Sequence, residues 1–353
     1  MFMASIGASL KHFVSPLARE MQRMGYETLG VAGDMVPMDG FNSLHELPAF
    51  RRRGLRGVFR AQGRLRQLLR DHRPTLLYVQ TPPALVLGRL AARSARIPSV
   101  AAVHGTFLEP FGLRTLIYAS LEAILARLSS VTVCVNEEDA GFYRRVGAAS
   151  MVLMAPVGGI GLDFSRLSPA AARPVRIAPW PAIVVVGRLT SDKNLDRVVD
   201  AFRIVQRGEP RASLTFIGSP MPGDHPWVVP VGRGIFHLSW LADPYRYIAG
   251  ADLMVSASRR EGFPMALAEA LALGVPVVAV SNRGTRQLQR SGPSGLILTT
   301  PQPRLLALAM EETLARFANK QIEVKPGPHW SQETALNFYQ QAIELALDRG
   351  VTR

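Results

Sequence analysis

Short apolar runs alternate with longer stretches of helical period along this chain, in two series separated by a proline-rich interval. The first series opens on M-F-M-A-S, a glycine turn at Ile6-Gly7-Ala8-Ser9, a helix from Phe13 to Met24 and the strand T-L-G-V-A-G. Apolar residues at 13, 14, 17, 18, 21 and 24 give that helix one greasy face, and the whole reads as a β-α-β unit. The pattern repeats as a strand over 75–81, a helix from Ala84 to Ser94, a strand over 99–106, an amphipathic helix from Leu113 to Leu128 and a strand over 131–139. Between about 155 and 181 it breaks: G-G-I-G misses the dinucleotide G-x-G-x-x-G spacing and reads as a turn, and the prolines of 169–181 read as a linker.

The second series starts with A-I-V-V-V-G (182–187) and a helix from Asp196 to Gln206, then S-L-T-F-I-G-S (213–219) and a loop rich in proline and glycine over 219–234. A short helix around Tyr245 to Ala249 precedes the strand D-L-M-V-S-A-S, a helix opening at Pro264, and the strands V-P-V-V-A-V-S (275–281) and G-L-I-L. Amphipathic helices over 302–318 and 331–348 close the chain, with Ser331 suited to cap the last. Two such series predict an α/β protein of two doubly wound domains facing a cleft lined by strand-end side chains. The expected boundaries are 1–160, a linker over 161–181, 182–330, and a C-terminal helix over 331–353 that returns to the first domain.

The length of 353 residues fits two domains, and a 48% hydrophobic, 19% charged composition excludes a disordered chain. A net charge of +14 calls for an anionic partner. Much of it sits in residues 51–73, where nine arginines, Arg51, Arg52 and Arg53 among them, interleave with Leu55, Val58, Phe59, Leu65, Leu68 and Leu69. That stretch reads either as the solvated face of a domain helix or as a contact for anionic lipid or a diphosphate-bearing acceptor. No zinc-finger spacing or stacking signature supports nucleic acid. The one cysteine, Cys134, lies in an apolar run and excludes a disulfide framework. With neither a signal-like start nor a long uninterrupted apolar run, the expected location is cytoplasmic, with membrane contact peripheral on the inner face.

Candidate chemistry gathers at S-A-S-R-R-E-G-F-P-M-A-L-A-E, residues 256–269. Pro264 suits a first helical position, so Glu261 stands at a helix mouth whose N–H groups suit a phosphate, with Glu269 a turn or two deeper. Glu261 alone also fits a plain helix cap, but Glu269, set among Met265, Leu267, Leu271 and Leu273, needs donors such as ribose hydroxyls. Arg188 and Lys193, five apart after a strand, can converge on one diphosphate. His104 ends a strand where open parallel sheets place ligands.

The motifs E-G-F-P-M-A-L-A-E, V-G-R-L-T-S-D-K-N, H-G-T, V-N-E-E-D and G-G-I-G-L-D-F together resemble those of GT-B retaining glycosyltransferases of the E-x7-E group, and occur in that family's order. The resemblance extends to bacterial members that build surface polysaccharides on a polyprenyl-diphosphate carrier. It implies a GT-B fold of two Rossmann-like domains and transfer from a nucleotide sugar, a UDP-sugar by this likeness, to a lipid-linked or polysaccharide acceptor. It implies that Arg188 and Lys193 neutralise the departing diphosphate, with the amides near Gly262, Phe263 and Pro264 on the phosphates. Glu269 would hold the ribose, Glu261 the sugar hydroxyls, and His104 would lie beside the anomeric carbon. Gly7, Ala8 and Ser9 match the acceptor-side loop, although many members carry paired glycines there. No cofactor or metal is expected, since fixed cations can stabilise the leaving group. A nucleotide-sugar epimerase or hydrolase of the same architecture and a non-catalytic membrane-surface protein are the competing readings.

Overall fold

The computed structural model describes residues 1–48, 55–106, 108, 112–146, 151–177, 180–220 and 226–351. Arg51, Arg52 and Arg53 lie outside the described residues. The chain divides into two compact units, Met1–Gly161 with Gln332–Arg353, and Leu162–Ser331.

Unit 1 holds a parallel sheet of β1 (Phe2–Met3), β2 (Leu29–Ala32), β3 (Ser43–Glu46), β4 (Leu77–Gln80), β5 (Ser99–Val103), β6 (Val131–Cys134) and β7 (Met151–Met154), in the order β3-β2-β1-β4-β5-β6-β7. The inner strands are buried on both faces, which is why their sequences are continuously apolar. The edge strands β3 and β7 are half-buried and were not anticipated from the pattern: β3 carries no such run, and the four apolar residues of β7 were passed over. The helices are α1 (Gly7–Phe13), α2 (Ser15–Arg23), α3 (Leu55–His72), α4 (Pro82–Ala95), α5 (Leu113–Ala126) and α6 (Glu137–Arg145).

Three local expectations need correction. The expected turn at Gly7-Ala8-Ser9 is the first turn of α1, and the expected single helix over 13–24 is interrupted at Val14. Pro16, in the first turn of α2, accounts for the break, because it has no N–H to give to His12 and its ring would crowd that carbonyl in a continuous helix. The strand expected over 131–139 ends at Cys134; Asn136 then caps α6, its side chain accepting from the Asp139 amide.

Strand alternation sorts the layers of unit 1. Met3 and Val79 point at α4, where a Cβ on Gly88 would lie 2.4 Å from Val79 Cγ1, so only glycine allows that helix so close. Phe2 and Tyr78 point to the opposite face, where Tyr78 meets Tyr339 edge-on at 6.2 Å. Tyr339 belongs to the last helix of the chain, Gln332–Val351, which is part of unit 1.

In unit 2 a short helix α7 (Pro169–Ala172) precedes a six-stranded parallel sheet. Its strands are β8 (Ala182–Val186), β9 (Ser213–Ile217), β10 (Ile235–Leu238), β11 (Leu253–Ser256), β12 (Val277–Val280) and β13 (Leu296–Thr299), ordered β10-β9-β8-β11-β12-β13. They alternate with α8 (Leu195–Gly208), α9 (Tyr245–Ala249), α10 (Met265–Ala272), α11 (Arg283–Arg290) and α12 (Pro303–Ala318), and the closing helix of unit 1 is α13. At the ends of unit 2 the Leu162 amide donates to the Trp330 carbonyl at 2.7 Å, pairing the segments by which the chain enters and leaves it. Within each sheet the order reverses beside its first strand, between β1 and β4 and between β8 and β11. Chains leaving adjacent strands there diverge to opposite sides, which opens a crevice at the strand ends.

Candidate active site

In unit 2 the residues singled out from sequence converge on that crevice. Gly187 and Gly218 end β8 and β9 at φ 145° and 144°. A Cβ on Gly218 would fall 1.9 Å from the Gly187 carbonyl oxygen, so two bare backbones are needed to bring the strand ends together. Arg188 follows and is exposed, its guanidinium 3.9 Å from the Asp192 carboxylate. The loop then makes one turn of 3-10 helix, Ser191–Lys193, and Asn194 adopts left-handed backbone at φ 55°.

Lys193 does not stand apart from the carboxylates. Its Nζ lies 2.6 Å from Glu261 Oε1, both side chains being 19% exposed. The loop after β8 is thereby tied to the loop after β11, and the Arg259 amide donating to the Asp192 carbonyl at 3.0 Å ties them again. Helix α11 supports Glu261 from below, a role not read from sequence. Asn282 Nδ2 donates to the Ser258 carbonyl at 2.9 Å, and Asn282 and Thr285 form a reciprocal capping box. Gly284 presses on Glu261 so closely that a Cβ there would come within 2.6 Å of the glutamate's own.

Pro264 is the cap of α10 and not its first helical residue, with φ −81° and ψ 86°. The φ suits a helix, but the ψ does not, and the chain turns at Pro264 so that buried Phe263 meets Trp330 edge-on at 6.2 Å. Gly262 is half-buried beside it. Leu267 and Leu271 anchor α10 in the core, and Glu269 rides its second turn, half-buried. The Tyr245 hydroxyl, from the first turn of α9, donates to Glu269 Oε1 at 3.4 Å. Burial pushes the Glu269 carboxyl up to about 7, partly offset by that hydrogen bond and by the nearby Arg166 guanidinium. Arg166 lies over the Tyr245 ring at 5.1 Å and 3.8 Å from Asp243. Neither Tyr245 nor Arg166 carried a signal in the sequence, since an aromatic opening a short helix has no motif around it.

In unit 1 the strand-end residues form a second cluster. The Gly7 amide donates to Asp34 Oδ1 at 2.7 Å, and a Cβ on Gly7 would sit 2.6 Å from the Asp34 carbonyl oxygen. Ala8 and Ser9 continue α1, and the Ser9 carbonyl accepts from Gln80 Nε2 at 3.0 Å. The other Gln80 atom, Oε1, lies 3.2 Å from His104 Nε2. With the Gln80 amide donating to Ser9, its oxygen accepts, so the imidazole carries its proton on Nε2 and leaves Nδ1 a lone pair. Burial pushes the half-buried His104 down to about 4, so the ring is neutral at pH 7. Phe13 stacks on it at 5.8 Å. Asp139, fully buried, accepts from the Thr106 hydroxyl at 2.6 Å and its amide at 3.2 Å, which fixes the turn after His104. Gln80 and Asp139 were missed as site residues because each sits inside an element whose pattern accounts for it.

Two Rossmann-like units, one presenting cations and carboxylates at its switch point, are the makings of a GT-B glycosyltransferase. Residues 12–153 match the family model described as Glycosyltransferase Family 4, and residues 180–316 the model described as Glycosyl transferases group 1. The chain belongs to these glycosyltransferases. It is 23% identical to EpsD of Bacillus subtilis (strain 168), over 88% of this chain and 86% of that one. It is 22% identical to the UDP-Gal:alpha-D-GlcNAc-diphosphoundecaprenol alpha-1,3-galactosyltransferase of Escherichia coli, over 66% and 65% of the two. A GDP-mannose-dependent alpha-mannosyltransferase of Mycobacterium tuberculosis is 28% identical over 81% of this chain and 78% of its own. Among solved structures, Anabaena HepE in complex with UDP-glucose shares the fold at TM-score 0.70 and 19% identity, over 99% of this chain and 98% of that one.

Proposed function

We propose that the chain transfers a sugar from a UDP-sugar to a lipid-linked or polysaccharide acceptor in bacterial cell-surface glycan synthesis, with retention at the anomeric carbon. One observation carries the donor reading: Lys193 meets Glu261 across the switch point between β8 and β11, with Arg188 on the first of those strand ends and Glu269 on the helix that follows the second. Losing a nucleoside diphosphate moves negative charge onto phosphate oxygens, which Arg188, Lys193 and the amides of Gly262 and Phe263 are suited to receive. Glu269 takes the ribose hydroxyls and Glu261 those of the sugar. For Lys193 and Glu261 binding is an exchange, since each must release the other to meet the donor. His104 is assigned to the sugar, and α1 from Gly7 to Ser9 to the acceptor.

In the reading adopted, the bond from C1 to the diphosphate breaks and the acceptor oxygen bonds C1 on the same face. The acceptor's proton goes to the departing phosphate, and no metal is required. The choice of UDP draws support from the fold shared with HepE, solved with UDP-glucose, and from the name of the Escherichia coli relative, which also names a diphosphoundecaprenol acceptor. The GDP-mannose-dependent relative marks the competing donor. The protein would work at the inner face of the cell membrane; among the described residues no helix is long and apolar enough to cross it.

Thermal shift with UDP-, GDP- and ADP-sugars tests the donor, and NMR of the product tests retention. UDP-sugars should raise Tm most, EDTA should leave turnover unchanged, and Arg188→Ala should weaken donor binding about 10- to 100-fold through one lost charged hydrogen bond. A protein that no nucleotide sugar stabilises, or an inverted product, would overturn the reading.

A further inference from the structure

Helix α5 is packed inside out. Its carboxylate Glu122 is buried, accepting from Arg89 of α4 and from the Tyr143 hydroxyl of α6. Five of its six large aliphatic residues, Leu113, Leu116, Ile117, Leu121 and Ile124, are 48–74% exposed, and Leu125 faces in beside Glu122. At 3.6 residues per turn these five fall in one stripe about 140° wide and about 16 Å long, the shape by which a helix ordinarily meets a core. A face so apolar and so open marks a contact that unit 1 does not itself supply.

Charge identifies what covers it. Residues 55–128 contain eleven arginines, no lysine and three acidic residues, Asp71, Glu109 and Glu122, so they carry eight of the chain's fourteen net positive charges. Helix α3 packs on α4 and α4 on α5. Arg66, Arg70 and Arg73 line a groove with Leu69 and Ile97 where α3 and α4 end, all three exposed. Among the described residues none of these three has a carboxylate partner. A second copy of the chain would bring like charges together over this surface, whereas an anionic bilayer accepts both the stripe and the cations.

We propose that α5 lies in the plane of an anionic membrane, its five exposed aliphatic residues sunk among the acyl chains and the exposed Arg66, Arg70 and Arg73 on the head groups. This adds a contact surface to the peripheral location proposed above. The test reads binding and donor turnover separately, so that either reading can fail alone.

The full chain is sedimented with vesicles of phosphatidylglycerol and phosphatidylcholine, or of phosphatidylcholine alone, at low and high salt. Wild type should partition at least tenfold more strongly into the anionic vesicles. L116S/I117S should bind at least tenfold less, and R66Q/R70Q/R73Q at least tenfold less with a flatter salt dependence, at about fivefold for each arginine. A bimane on L116C should shift to the blue on binding, Cys134 being buried from the label. All variants should hydrolyse donor in vesicle-free solution as wild type does, which also reports that they fold. Equal binding to both vesicle types, undiminished binding by L116S/I117S, or a dimer that this variant splits in the absence of vesicle binding would overturn the proposal.

Discussion

Replacing Glu269 with glutamine should make the ligand-free protein more stable above pH 7 while weakening its hold on the donor. Burial raises this carboxyl from 4.5 to about 7, so between those values the unfolded chain ionises while the folded one keeps its proton. The folded state then binds more protons, and stability falls as pH rises through that window. At about 1.4 kcal/mol for each tenfold in proton affinity, the ionised folded form carries a penalty of up to about 3 kcal/mol at pH 8. The side chain is half-buried, and water at its open edge lowers this to about 1–3 kcal/mol. Glutamine keeps an oxygen for the Tyr245 hydroxyl and has no charge to desolvate. Urea unfolding at pH 4.5 and at pH 8 is the assay: the variant should match wild type at the lower pH and gain about 1–3 kcal/mol at the higher. Donor affinity should fall in the same variant, because an amide accepts fewer ribose hydrogen bonds than a carboxylate. A gain that is equal at both pH values, or absent at pH 8, would refute the reasoning, since only ionisation in a desolvated place produces the difference.

The Lys193–Glu261 pair should show a coupling of about 1–2 kcal/mol in a double-mutant cycle of Lys193→Met and Glu261→Gln, between the values for exposed and buried pairs. Saturating donor should reduce that coupling, and one unchanged by donor would count against the exchange proposed above. Arg89→Met should cost about 3–5 kcal/mol by stranding Glu122 in the core, whereas Arg89→Met with Glu122→Leu should come within about 1–2 kcal/mol of wild type. Chemical denaturation of the two variants side by side decides it, and equal losses would mean that the ion pair is not what the core depends on there.

Much of the architecture was legible because buried parallel strands must be apolar on both faces. V-V-V-V-like runs such as Ile183 to Val186 and Val277 to Val280 announce themselves, and helices between them force a parallel, doubly wound sheet. The edge strand Ser43–Glu46 did not, since half-buried residues need no such run, and the short apolar run Met151–Met154 was passed over. Pro16 was visible, but whether the chain would kink or begin a new helix there rested on what packed around it. Of the candidate site, the residues next to glycine or proline at strand ends stood out: Arg188 after Gly187, His104 before Gly105, and Glu261 before Gly262.

The sequence by itself determined that two β/α series alternate and which strand ends carry charge, because periodicity and turn chemistry are local properties. Only the tertiary structure decided which charges meet: Lys193 with Glu261 across 68 positions, Tyr245 with Glu269, and Gln80 with His104 and Ser9. It also decided which side of α5 faces in. The stripe of that helix predicts a core contact, yet Arg89 and Tyr143 draw Glu122 inward and turn the aliphatic residues out. Periodicity says that a helix has two faces; the partners available on the sheet choose between them.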